Sequence, residues 1–178
     1  MRLITESLLR ERAQGRSSLN ENISNNAFAH QFLDTNFDIF LSHSYPDKGI
    51  INSIYNELTS LGLSVYVDWI VDPQLDRNNV TRDSAELIRT RMNHSSSLIY
   101  CISANAAMSN WMPWELGYVD GHSHKCAVLP IAKTNIEKYN RREYLKLYPF
   151  ITESDISKNF VVRESESSIR GTLNEWIK

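Results

Sequence analysis

From Phe37 onward this chain repeats one arrangement: a short apolar run, a polar break, then an apolar stripe at helical spacing. Few folds accept that arrangement, because a strand that is apolar on both faces must be covered by helices on both sides. Phe37 to Ser42 (FDIFLS) is the first such run. Pro46 and Asp47 open a helix whose residues Ile50, Ile54, Leu58 and Leu61 follow helical spacing, and Gly62 supplies its stop. Leu63 to Val67 reads as the second strand. A long connection, Asp68 to Val80, then leads to a helix from about Arg82 to Asn93 with Ala85, Ile88 and Met92 on one side. Ser97 to Ser103 is the third strand, Trp111 to Val119 a helix and Cys126 to Ile131 the fourth strand. Residues 134 to 148 are expected to be helical, Phe160 to Val162 to form a short fifth strand, and Ser165 to Ile177 a closing helix. The pattern predicts a flavodoxin-like α/β domain, a parallel five-stranded sheet with helices on both faces.

Residues 1–36 stand apart from this repeat. An amphipathic piece, Leu3 to Arg12, precedes a polar stretch from Gly15 to Asn26 and a small apolar patch at Phe28, Phe32 and Leu33. They read as an N-terminal arm, helical or partly disordered and laid on the surface of a domain spanning 37–178. A length of 178 residues with 42% hydrophobic content suits one buried core. The formal charge of -2 gives no general attraction to nucleic acid or to anionic membranes. Cys101 and Cys126 each lie in an apolar run, so both are expected to be reduced core residues in a reducing cytoplasm. No apolar run reaches the roughly 18 to 20 residues that span a bilayer, and the start of the chain lacks a secretory apolar core.

The segment Ser109 to Gly117 (SNWMPWELG) carries the strongest chemical signal. Trp111 and Glu115 are four apart and therefore share one helix face, a flat aromatic surface beside an anion. Asn110 is the expected N-cap, and Pro113 fits only a first helical turn. Glu115 then lies near the positive end of a helix dipole, which suits electrostatic or hydrogen-bond-accepting work. In a sheet of this kind the ligand crevice opens beyond the carboxyl ends of the strands. His43, Ser44 and Tyr45 follow the first strand there, Asp68 and Trp69 the second, and the Trp111–Glu115 segment the third. Other chemistries lack their signatures. GxGxxG, Walker A and GxSxG are all missing. His122 and His124 have no companion ligands, and Asp68, Asp72 and Asp76 lack the Gly and Glu of a calcium loop, so no metal is expected.

Taken in order, these motifs resemble the Toll/interleukin-1 receptor (TIR) domain family. FDIFLSHS at Phe37 to Ser44 is similar to the family's first box, and LSVYVDW at Leu63 to Trp69 to its second strand running into the BB loop. SSSLIYCIS followed by SNWMPWELG is similar to the third strand and the WCxxxE-type segment, with Met112 where Cys is usual. The resemblance covers residues 37–165, and the BB loop departs from the family in lacking the frequent Pro-Gly pair. It implies either a scaffold that joins partners or an enzyme that cleaves the nicotinamide–ribose bond of NAD+, as in bacterial antiphage systems of the Thoeris type. The enzymes carry Glu at the position matched by Glu115, so the resemblance implies Glu115 as the catalytic residue. Trp111, His43, Ser44, Tyr45, Asp68, Trp69 and Arg77 are the substrate-binding candidates, with Asp68 also expected to order the BB loop. NAD+ is then the substrate and no cofactor is needed. One carboxylate suffices, because nicotinamide leaves as a neutral molecule without a general acid. The resemblance further implies nicotinamide and ADP-ribose or a cyclic isomer as products, a homo-oligomer built through TIR–TIR contacts, and a separate effector protein that reads the product. Two alternatives stand beside it: a non-catalytic TIR interaction module, acting as scaffold or host mimic, and a nucleoside- or deoxyribosyl-transferring enzyme on a similar fold.

Overall fold

Strand β2 (Phe37–Ser42) organises the sheet, because its side chains alternate between two apolar layers. Ile39 and Leu41 enter one layer and Phe40 the other. In the computed structural model, which describes residues 3–14, 34–75, 81–133, 142–154 and 159–178, β2 lies between β3 (Val65–Tyr66) and β4 (Ser95–Ile102). The order continues through β5 (Cys126–Ala132), β6 (Phe150–Glu153), β7 (Phe160–Arg163) and β8 (Ile169–Thr172). Pairing is parallel from β3 through β6, so these five strands form the expected flavodoxin-like order with β2 at the point of reversal.

Crossovers that depart from β2 and β4 in opposite directions place their helices on opposite faces. Helix α2 (Lys48–Ser60) packs Ile50, Ile51, Ile54 and Leu58 against Ile39, Leu41, Ile99 and Leu129. Gly62, at φ +78°, ends it in a left-handed conformation that costs a glycine nothing, and its N–H reaches the Thr59 carbonyl. On the other face, α4 (Arg82–Asn93) and α5 (Trp111–Asp120) bury Ile88, Met92, Met112, Leu116 and Val119 against Phe40, Tyr66, Leu98 and Val128. A capping box between Thr81 and Ser84 starts α4. Both cysteines are buried and free, as expected; burial, and to a lesser extent Asp120, push the Cys126 thiol up to about 12.

Three elements differ from expectation. The fifth parallel strand is Phe150–Glu153, while Phe160–Arg163 pairs antiparallel beside it. FITE is too short to announce itself by periodicity, and only its pairing defines it. The closing helix is confined to α6 (Leu173–Ile177), since Ile169–Thr172 joins the sheet and a capping box between Thr172 and Glu175 starts the helix there. Of the stretch 134–148, residues 134–141 lie outside the described residues, and Glu143–Leu147 is a 3-10 helix.

Residues 3–14 dock on the domain through one buried face. Strand β1 (Ile4–Thr5) pairs parallel with the end of β5, Ile4 opposite Ile131 and Thr5 opposite Ala132. Helix α1 (Glu6–Gln14) begins where the Thr5 hydroxyl accepts the Leu8 N–H. Leu9 is fully buried in the layer shared with α2. Arg12 pairs with the buried Glu153 on β6 and stands 3.6 Å from Glu57 on α2. Residues 15–33 of the expected arm lie outside the described residues. Leu9→Ala is therefore expected to lower the unfolding free energy by about 2–5 kcal/mol, the usual cost of a buried Leu truncated to Ala. Urea denaturation checks this, and a loss below about 0.5 kcal/mol would place α1 at the periphery.

Candidate active site

The alternation of β2 that sends Phe40 toward α5 sends Ser42 the same way, two residues on. Ser42 is completely buried, and its hydroxyl donates to Glu115 Oε2 at 2.6 Å. Glu115 is the fifth residue of α5 and is itself 0% exposed, so it does not face an open cleft as an exposed acid would. The helix start also differs from expectation. Asn110 makes no side-chain cap; the hydroxyl of Ser109 accepts the Met112 N–H at 3.3 Å instead. Pro113 falls in the first turn as expected, where no backbone N–H is needed. The carboxyl therefore sits between the carboxyl ends of β2 and β4, where the strand order reverses.

Beside Ser42, His43 is nearly sealed, and both its ring nitrogens are occupied. The indole N–H of Trp69 donates to Nε2 at 3.1 Å. That leaves Nδ1 to carry the proton and donate to the Leu41 carbonyl at 2.8 Å. Asp68 Oδ1 lies 3.3 Å from the same Nε2. Asp68 and Trp69 open a short helix, α3 (Asp68–Val71), within what the sequence presents as a long connection. That helix is held at its end by Asp72, whose carboxylate takes a bidentate contact from Arg91 at 2.9 and 2.8 Å and the Tyr66 hydroxyl at 3.0 Å. Arg91 and Asp72 are each about 1% exposed. The hydrogen bonds from Arg91 to Asp72 raise the already high guanidinium pKa, so Arg91 keeps its charge despite its burial.

A second clamp joins the turns after β2 and β4. Asp47, nearly buried, accepts the Ser103 hydroxyl and the Asn105 amide, the latter at 2.6 Å. Ser44 donates to the Asn105 carbonyl at 3.2 Å. These contacts fix the approach to α5 and hence to Glu115. Tyr100, the register partner of Ser42 on β4, is buried on the same face. Burial, then a hydrogen bond with Tyr144, pushes its phenol up, so it stays protonated. Tyr45 stands at the rim, half exposed. Trp111 is half-buried and meets Trp114 edge-on, with ring centres 5.3 Å apart.

Of the residues expected from sequence, Glu115, His43, Ser44, Asp68 and Trp69 thus converge at one edge, while Arg77 lies outside the described residues. Ser42, Asp47 and Arg91 were not anticipated as contributors. Ser42 had a signal: it is a polar residue two positions after Phe40, at the end of the apolar run Ile39–Leu41. The partnership of Asp72 with Arg91 had none, because nothing local pairs residues 19 apart. A cavity of about 570 Å³ lies at the opposite edge of the sheet, between Asp120, His124, Lys125, Tyr148, Arg170 and Trp176. It begins where α5 ends and shares no residue with the Glu115 cluster.

The model of the TIR domain family matches residues 39–159, more than half of the chain, and the chain belongs to that family. It is 45% identical over 137 residues to a Bacillus cereus (strain MSX-D12) protein named probable 3' cyclic ADP-D-ribose synthase ThsB', covering 76% of this chain and 71% of that one. A Cytobacillus dafuensis protein named putative cyclic ADP-D-ribose synthase TIR2 is 31% identical over 83 residues, 46% of this chain and 22% of its own length. Among solved structures, the TIR domain of the Toll-related receptor TRR-2 from Hydra magnipapillata aligns with a TM-score of 0.45 at 20% identity, over 62% of this chain and 78% of that domain. The matched region contains Ile39–Ser42 of β2, all of α3 and α5, and Glu115, but not β1 and α1.

Because Arg91 neutralises a carboxylate that water cannot reach, Arg91→Met should cost about 3–5 kcal/mol of stability. Chemical denaturation of the variant measures this; a cost under about 1 kcal/mol would mean that Asp72 is hydrated.

Proposed function

We propose that this protein cleaves the nicotinamide–ribose bond of NAD+ and closes the ADP-ribose unit into a cyclic product. The observation that carries this reading is Glu115, a carboxyl group withdrawn from solvent at the reversal point of the sheet and held by Ser42. A helix acid that merely solvated the surface would be exposed. The printed names of the two bacterial relatives support the same chemistry.

When the C1′–N bond breaks, its electron pair leaves with nicotinamide, which departs neutral, and positive charge develops on the ribose. A preorganised carboxylate beside that charge contributes about 3–4 kcal/mol to the transition state. Ser42 orients the Glu115 carboxyl, which acts on the ribose. Trp111, one turn earlier on the helix, packs against the nicotinamide end. Ser44, Tyr45 and Trp69 complete the substrate surface, with His43 and Asp68 acting through Trp69. The fate of the cation depends on water. A site this closed favours attack by a hydroxyl of the same ADP-ribose, which loses its proton as the ring forms; attack by water gives linear ADP-ribose instead. We place the reaction in the cytoplasm, in an antiphage response in which a separate effector protein reads the product. Among the described residues no helix is long and apolar enough to cross a membrane.

Glu115→Gln keeps an acceptor for Ser42 and removes the charge. It should reduce NAD+ turnover by about 10²–10³-fold while leaving the near-UV circular dichroism unchanged. Products resolved by mass and by NMR decide between cyclic and linear, and comparable turnover by wild type and variant would end the assignment. We further propose that the site is completed between copies of the chain through the BB-loop region. Specific activity should then rise with protein concentration. A flat profile, with a monomer under turnover by light scattering, would show a self-contained site.

A further inference from the structure

Lys48 is the first residue of α2, where the helix dipole disfavours a cation, so it is not there to stabilise its helix. Among the described residues it has no carboxylate within ion-pair distance. Its ammonium group instead donates to the Tyr45 hydroxyl at 2.9 Å and lies 4.0 Å from the centre of the Tyr45 ring and 5.3 Å from that of Trp69. The acids nearest in sequence and space are committed elsewhere. Asp47 accepts from Ser103 and Asn105, and Asp68 faces His43. The positive charge is therefore held in place by two rings and is not cancelled.

Trp69 connects this cation to the reaction centre. Its indole N–H bonds His43, the residue after Ser42, and Ser42 bonds Glu115. Lys48 thus stands at the rim of the same edge, one aromatic ring away from the strand end that holds Glu115. A dinucleotide that places its nicotinamide ribose at Glu115 carries two negative charges a short distance along, on its pyrophosphate. We infer that Lys48 is the cation that receives this pyrophosphate, with Tyr45 and Trp69 holding its side chain in position. The inference rests on the NAD+ reading and adds a residue that sets affinity for the phosphate-bearing part of the substrate. Lys48 is a binding residue, remote from the bond that breaks, so it acts on KM and not on kcat.

The test is a charge series at this position, with steady-state kinetics on NAD+ and thermal melting for each variant. Lys48→Met keeps an apolar chain on the two rings and removes the charge; its KM should rise about tenfold with kcat unchanged, the size expected for one charge-assisted phosphate contact. Lys48→Arg should keep KM within about twofold, and Lys48→Glu should raise it further. For the wild type, KM should climb with added salt, and the climb should be shallower for Lys48→Met. A KM within about twofold of wild type for Lys48→Met, or a loss confined to kcat, would overturn the assignment while leaving the NAD+ reading intact. Should Lys48→Met fail to fold, the Arg variant and the wild-type salt dependence decide, and a KM independent of salt counts against the inference. Absence of NAD+ turnover in the wild type would remove both.

Discussion

A carboxyl group with no exposure to water sets the terms for the rest of this structure. Glu115 can be buried only if something donates to it, and the Ser42 hydroxyl does so from the end of the central strand. An unsatisfied buried acceptor costs about 1–3 kcal/mol, more when charged, so this contact helps to tie strand and helix in register. It also converts the period-2 alternation of β2 into chemistry. Moving the register by one residue would send Ser42 into the layer beneath α2 and take its hydroxyl away from Glu115.

Around that contact the loops are held by two buried polar clamps of different kinds. The Asp72–Arg91 pair is almost completely buried, so its weight lies in position more than in net stability. It fixes where α3 ends and therefore where Trp69 meets His43. Asp47 does the corresponding work between the turns after β2 and β4 with hydrogen bonds to neutral partners. Substrate binding at a switch point needs loops that do not wander, since a misplacement of about 1 Å can cost a hundredfold in rate.

The N-terminal strand and helix extend the family architecture. They lie before the region that the TIR family model matches, yet Ile4 and Leu9 belong to the same apolar layer as α2 and α6. Arg12 covers Glu153, a buried acid at the end of β6. The sheet is thus closed on this side by residues that come first in the chain, which makes the domain larger than its family core.

Local pattern was enough to read the strands FDIFLS and CAVLPI, the stripes of α2 and α4 and the Trp111–Glu115 face, because period 2 and period 3.6 are properties of neighbouring residues. The order of motifs likewise carried the family and singled out Glu115. What only the tertiary structure decided were contacts between residues far apart in the chain. FITE became the fifth parallel strand because β5 and β7 flank it, and residues 3–14 joined the core because β5 offered a free edge at Ile131 and Ala132. His43 reads as a ligand-binding loop residue in sequence, but Trp69 and the Leu41 carbonyl occupy both its nitrogens. Periodicity reports which way a side chain points; which partner it meets depends on how the strands are ordered and how the helices lie across them.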